Sequence, residues 1–415
     1  MKGLPVFFAA PHRAMFFGGV LQGLLGMLWW AVDLGMRHAG LYSIPESPLA
    51  PHLPAYLPPA WLHGLLMIYG FFPFFFFGFL LTAAPRWQGA SPVPPSVYVP
   101  SFLLLLAGWL GVDASLFLPA LLPAGLGLAL AGWLIGAKAL LDVARHANPD
   151  RRHAWVVALA LGMGASGLAA FLAYVSGGPA WLALTALTLG IWGFLLPVFV
   201  TVAHRMLPFF SSSVLPKYVL RRPYWSLWLL LAAFAMHFVL AVAGQDRWLW
   251  LADLPAAATA LYLSIIWQFR QSLSVRILAV LHIGFVWLSA ALALYAIQSL
   301  AALVGLGILG LAPLHALTIG FFAAMLLGMV SRVTLGHSGR SVAADAAMWL
   351  AFWGMQLTAG VRIVADLLAD CCNCCGPGPF NPMWLAALFW LVAFGGWSLH
   401  YAPAYWRARV DGQPG

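Results

Sequence analysis

Long apolar runs recur along the whole chain, and the short segments between them carry nearly all of its charge. About twenty apolar residues in a helix span the hydrocarbon core of a bilayer. A soluble domain averages roughly 25% charged residues. Here 7% of 415 residues are charged, 63% are hydrophobic and the mean hydropathy is +0.92. Such a chain cannot clothe a globule in water, so the sequence predicts an all-α polytopic membrane protein, read as a single integral-membrane domain over 1–415.

Twelve runs fit as spans: 14–33, 61–84, 97–112, 115–140, 154–176, 179–203, 223–243, 248–269, 276–297, 311–331, 343–367 and 382–405. Pro and Gly clusters such as Pro45–Pro59 and Ser91–Pro95 punctuate them. Lys and Arg favour cytoplasmic loops. With the N-terminus in the cytoplasm, all but three of the 20 basic residues fall inside; Arg37 and Arg247 fall outside, and Arg362 lies in or near the eleventh span. Twelve spans with both termini cytoplasmic follow. The run after His12 and Arg13 has full span length, so the N-terminus reads as a retained span rather than a cleavable signal peptide. The net charge of +9 is scattered singly between apolar runs, which argues against a nucleic-acid partner and leaves membrane lipid as the surrounding phase.

All four cysteines sit in one loop at Cys371, Cys372, Cys374 and Cys375, on the extracytoplasmic side in this topology. Cysteine-ligated iron–sulfur and thiolate–haem centres inside the membrane are thereby excluded. Two readings of the 371–375 loop stand: a disulfide, easier between i and i+3 than between neighbours, or a thiolate metal site.

Twelve histidines outnumber eleven carboxylates. That ratio favours transition-metal chemistry, since neutral imidazole is a common ligand for iron, copper and zinc. His38, His52, His146 and His153 read as solvated loop residues. His63 and His315 open spans near the outer side; His12, His204, His282 and His400 lie toward the inner side, and His337 follows span ten. His237 and His400 read either as metal ligands or as helix-to-helix hydrogen-bonding residues. Arg13 and Arg205 each follow a histidine at a cytoplasmic span edge, where they either snorkel or fork onto a carboxylate such as a haem propionate. Arg332 closes span ten. The carboxylates form no proton-relay ladder, and Asp366, the deepest, is placed to pair with Arg362 at i,i+4. The aromatic run Phe71–Phe77 packs either on a macrocycle or on neighbouring helices.

Four segments carry a family resemblance: PHRAMFFGGVLQGLLGMLWW, WLHGLLMIYGFFPFFFFGFLLTAAPRWQG, LLPVFVTVAHRMLPFFSSSVLP, and LHALTIGFFAAMLLGMVSRVTLGHSGR preceded by LAVLHIGFVWLSAALALYA. Together they reach from Pro11 to Arg340, and the chain resembles the NnrS family of bacterial haem–copper membrane proteins. The resemblance implies twelve spans in the bacterial inner membrane, bound haem and copper, and a role in nitric oxide metabolism or resistance. Family members often read WHAHEM before the GF of span two. Here WLHGLLMIYGF keeps His63 for the first histidine, with Leu65 in place of the second and Leu66 in place of the Glu.

The expected ligand set is His12, His63, His204, His282 and His315, with His337 next. Outer His63 and His315 are expected at a haem of b type; inner His12, His204 and His282 form either a three-histidine copper site or the ligands of a second haem. Arg13, Arg205 and Arg332 are expected near the cofactor. The expected activity is oxidoreduction of the nitric oxide reductase kind, with electrons from quinol or a cytochrome. Rival readings are non-catalytic binding of nitric oxide, a carrier of metal, haem or a small solute, and a quinol-linked electron-transfer subunit.

Overall fold

The computed structural model describes residues 6–41, 57–146, 148–371 and 381–412. His52 and the cysteines at 372–375 lie outside the described residues. Among those described, every element is helical. Ten helices are long and apolar enough to cross a membrane: α1 Pro11–His38, α2 Pro59–Gln88, α3 Pro95–Ala114, α4 Leu121–Arg145, α5 Arg152–Val175, α6 Trp181–Ser212, α7 Tyr224–Val242, α9 Arg276–Leu303, α10 Ala312–His337 and α12 Pro382–Tyr405. Two further predicted spans are helices outside that set. One is α8, Trp250–Ile266, of 17 residues. The other is α11, Ala346–Cys371, whose apolar character Gln356, Arg362 and Asp366 dilute.

The helix ends follow local chemistry. Pro11 begins α1, where its fixed φ and missing N–H suit the first turn. The helix therefore starts earlier than the apolar run does and takes in His12 and Arg13. Gly89, at φ 66°, supplies the left-handed residue that stops α2.

Three helices are not α-helical throughout. A π-helical segment interrupts α2 at Leu66–Phe71, α6 at Gly190–Leu195 and α10 at Ala316–Ala323. Such wide turns are frequent at functional sites. His315 is the last residue before the segment in α10.

The chain divides into two compact units. Unit 1 comprises 1–198, 336–340 and 398–415; unit 2 comprises 199–335 and 341–397. In unit 1, α3 and α4 meet backbone to backbone. A methyl group added at Gly108 would lie 2.4 Å from Ala129 N, and one at Gly125 would lie 2.7 Å from Gly108 O. Small residues let membrane helices approach in this way, where packing rather than hydrophobicity holds helices together. The aromatic run of α2 packs on neighbouring helices: Phe74 and Phe75 fill the space over Gly18 and Gly19 of α1, and Phe77 lies against Gly136 of α4.

In unit 2, Trp287 of α9 covers Gly320 inside the π-helical segment of α10. The same indole Nε1 donates to Gln356 Oε1 of α11 at 2.7 Å. Ser289 Oγ of α9 donates to Ala257 O of α8 at 2.8 Å, and Trp397 Nε1 of α12 donates to Ser331 Oγ of α10 at 2.8 Å. These bonds satisfy side-chain donors that lipid would leave bare.

Candidate functional site

In unit 2, His315 stands at the N-terminal end of α10. Its Nδ1 lies 2.8 Å from Asp366 Oδ2 of α11 and 3.0 Å from its own helix's Leu311 O. Asp366 is 4% exposed, and its second oxygen accepts from Arg362 one turn earlier. The carboxylate is thus balanced by a cation and fixes the imidazole. With Nδ1 engaged as the donor, the lone pair falls on Nε2. His315 is half-buried.

Unit 1 brings together His12 and His337. Their ring centroids are 4.5 Å apart and the rings are tilted by 44°. His12 is 3% exposed and rests edge-on against Phe16; its Nδ1 is 3.5 Å from Thr82 Oγ1 of α2. Arg13, Arg86 and Arg409 all lie close enough to act electrostatically on His337. The acid at this end, Asp411, is engaged by Arg409 at 2.6 Å. The C-terminal tail docks beside the pair, with Val410 N donating to Ser338 O at 3.1 Å and Arg409 Nη1 to His337 O at 3.3 Å.

Arg13 neither snorkels nor reaches a free carboxylate. It is 2% exposed, and its Nη1 donates to Ala404 O, Tyr405 O and Arg407 O at 3.3, 3.4 and 2.8 Å. It closes the end of α12, whose last carbonyls have no helical partner.

The remaining expected ligands keep separate company. His63 of unit 1 stacks on Trp30 of α1, with centroids 4.5 Å apart and planes at 11°, and Arg37 lies 5.0 Å from the centre of the same indole. In unit 2, His204 Nε2 is 3.3 Å from Pro223 O, while His282 Nε2 is 3.0 Å from Ser211 Oγ. Arg332 sits 4.1 Å over the ring of Phe210, and Arg205 is half-buried next to His204 in α6. Among the described residues, no three His, Cys, Asp or Glu side chains are grouped closely enough to hold a metal ion. The histidine that His12 meets is His337.

A family model described as NnrS protein matches residues 6–409. The chain belongs to the NnrS family. A comparison with curated proteins gave no match.

In this NnrS chain the structure adds residues that sequence reasoning did not assign. Asp366 was paired with Arg362 by its i,i+4 spacing, and that pair is present; its bond to His315, from another helix, had no local signal. His237 Nδ1 meets Asp253 Oδ1 of α8 at 2.7 Å, both side chains buried, with Tyr295 edge-on at 5.3 Å. Of the two readings of His237, a bond to a neighbouring helix is present, and its acidic partner carries no signal along the chain. His153, expected in a solvated loop, is 1% exposed in the first turn of α5. Arg152 opens that helix ahead of it, so the helix begins before the apolar run does.

Proposed function

We propose that this protein is a haem- and copper-containing protein of the bacterial inner membrane that handles nitric oxide. It would cross the bilayer twelve times, α8 and α11 included, with both termini in the cytoplasm. Membership of the NnrS family supports the link to nitric oxide. The apolar interior suits a small uncharged gas.

The metal reading is carried by the bond between His315 Nδ1 and Asp366. A metal-bound histidine almost always donates its other ring N–H to a carboxylate or carbonyl, which fixes the tautomer and raises ligand basicity. His315 has both partners, Asp366 and Leu311 O. The donor set fits a haem iron: an oriented neutral imidazole on a helix beside a π-helical turn. His315 would bind, Asp366 would accept the Nδ1 proton in a hydrogen bond, and Arg362 would hold the far oxygen of Asp366 in place. In unit 1, His12 and His337 offer a second, purely nitrogen donor pair that fits copper, which accepts imidazole readily. When bound, these metals would supply nitric oxide binding and one-electron chemistry. His63, held flat against Trp30 in unit 1, is a further imidazole available for haem.

Under the reductase reading, two molecules of nitric oxide, two electrons and two protons give nitrous oxide and water. Quinol or a cytochrome would supply the electrons. The test is metal analysis with an optical spectrum of purified protein, wild type against His315→Ala. A haem band that is present in wild type and missing in the variant supports the assignment; an identical spectrum removes His315 from it.

A further inference from the structure

Unit 1 holds a buried carboxyl that the metal reading does not use. Gln22, near the middle of α1, is 1% exposed, and its Nε2 donates to Asp113 Oδ1 of α3 at 3.1 Å. The other oxygen of each group, Gln22 Oε1 and Asp113 Oδ2, is inaccessible and has no hydrogen-bond partner. While Asp113 is ionised both are acceptors, and two acceptors cannot satisfy each other. Each buried orphan costs about 1–3 kcal/mol, more for a charged group. One proton removes both deficits. Placed on Oδ2, it turns Asp113 into a donor to Gln22 Oε1. Amide and acid are then joined by two parallel bonds, N–H to Oδ1 and O–H to Oε1.

The surroundings favour the same state. The side chain bonded to Asp113 is Gln22. The packed helices carry other titratable groups: His12, Arg13, Asp33, Arg37 and His38 on α1, His63, Tyr69 and Arg86 on α2, and Lys138, Asp142 and Arg145 on α4. Among the described residues none of them makes a hydrogen bond or ion pair with Asp113. Lys138 is committed to Asp142, and Arg37 to Asp33. A buried carboxylate without a cation is costly in a low-dielectric interior. Trp109 Nε1, one turn before Asp113 on α3, is a third unpartnered buried atom. Gly70, inside the π-helical segment of α2, sits against both: a methyl group there would be 3.2 Å from Trp109 and 3.4 Å from Gln22.

We infer that Asp113 is a proton-holding site, its acid form locked to Gln22, and that it exchanges its proton with water at the end of α3. Asp113 is the penultimate residue of that helix and is half-buried, so one edge of the residue reaches the helix terminus while Oδ2 faces inward. On release the Oδ2–H bond breaks and water takes the proton. The carboxylate keeps the Gln22 N–H, and the indole N–H of Trp109 is a spare donor one turn away. Uptake from water reverses the step. The inference does not depend on bound metal.

Infrared spectroscopy of the purified full-length protein at neutral pH tests it. Wild type should show a protonated-carboxyl stretch that shifts in heavy water, is absent from Asp113→Asn, and moves to higher frequency in Gln22→Leu. Asn can make the same two bonds to Gln22, so Asp113→Asn should melt at the wild-type temperature. Identical carboxyl regions in wild type and Asp113→Asn would overturn the inference. So would a rise of several degrees in the melting temperature of Asp113→Asn, because it would mean that wild type buries a charge there.

Discussion

His315 on α10 and Asp366 on α11 are joined through Nδ1 and Oδ2 at 2.8 Å, and Arg362 holds the far oxygen of the carboxylate. The relationship makes Asp366 a positioning residue for the imidazole. Asp366→Asn keeps the size of the side chain but loses the negative charge. Loss of such a partner typically weakens metal retention by about 10–100-fold. Haem content per folded protein should fall accordingly in Asp366→Asn, measured by haem extraction after mild detergent washing. Full haem content in that variant would show that Asp366 serves only Arg362.

His12 and His337 supply the second prediction. Replacing either by Ala removes one of two facing imidazoles and should lower copper content, by elemental analysis, to the background level. The haem band should survive, because His315 has its own partners. Unchanged copper in both single variants would remove this pair from the ligand set.

These relationships differ in how legible they were in the sequence. The helices were legible because each is an apolar run, and the predicted 97–112 lies within Pro95–Ala114. Their ends were less so. Pro11 starts α1 early, and α10 continues to His337 past the last apolar residues. These two extensions bring His12 and His337 into helices and leave them facing each other. The Arg362–Asp366 pair was legible because i,i+4 spacing is a local signal. The His315–Asp366 bond joins residues from different helices, and spacing along the chain carries no trace of it. The same holds for Gln22 with Asp113. Each π-helical segment contains a glycine, Gly70, Gly190 or Gly320, and Pro73 and Pro197 follow the first two, but Pro85 and Pro208 stand in the α-helical parts of the same runs, so Gly and Pro alone do not mark the wide turns.

The α3–α4 contact gives a prediction about stability alone. Gly108→Ala would push a methyl group to 2.4 Å from the backbone of α4, which cannot give way as a side chain does. Overpacking of this kind costs about 1–3 kcal/mol. Gly127→Ala, on α4 but facing open space, is the matched control. Thermal melting in detergent should show a clear loss for the first and none for the second.

Arg13 makes a separate claim. Its guanidinium serves three carbonyls at the end of α12, so Arg13→Ala leaves buried acceptors unpaired at a cost of about 1–3 kcal/mol. Arg13→Lys restores a charged donor on a side chain of different shape, and should recover part of the loss. Protease cleavage of the C-terminal tail should quicken in Arg13→Ala and slow again in Arg13→Lys. Equal cleavage in all three proteins would show that the tail is held without Arg13.

The central claim is that oriented imidazoles in this membrane protein hold redox metal for nitric oxide. The most direct measurement is the reduced-state optical spectrum of the purified protein before and after nitric oxide is added. A haem band that nitric oxide displaces, and that is lost in His315→Ala, is the predicted result. Purified, folded protein with no haem band, or with a band that nitric oxide leaves in place, would contradict it.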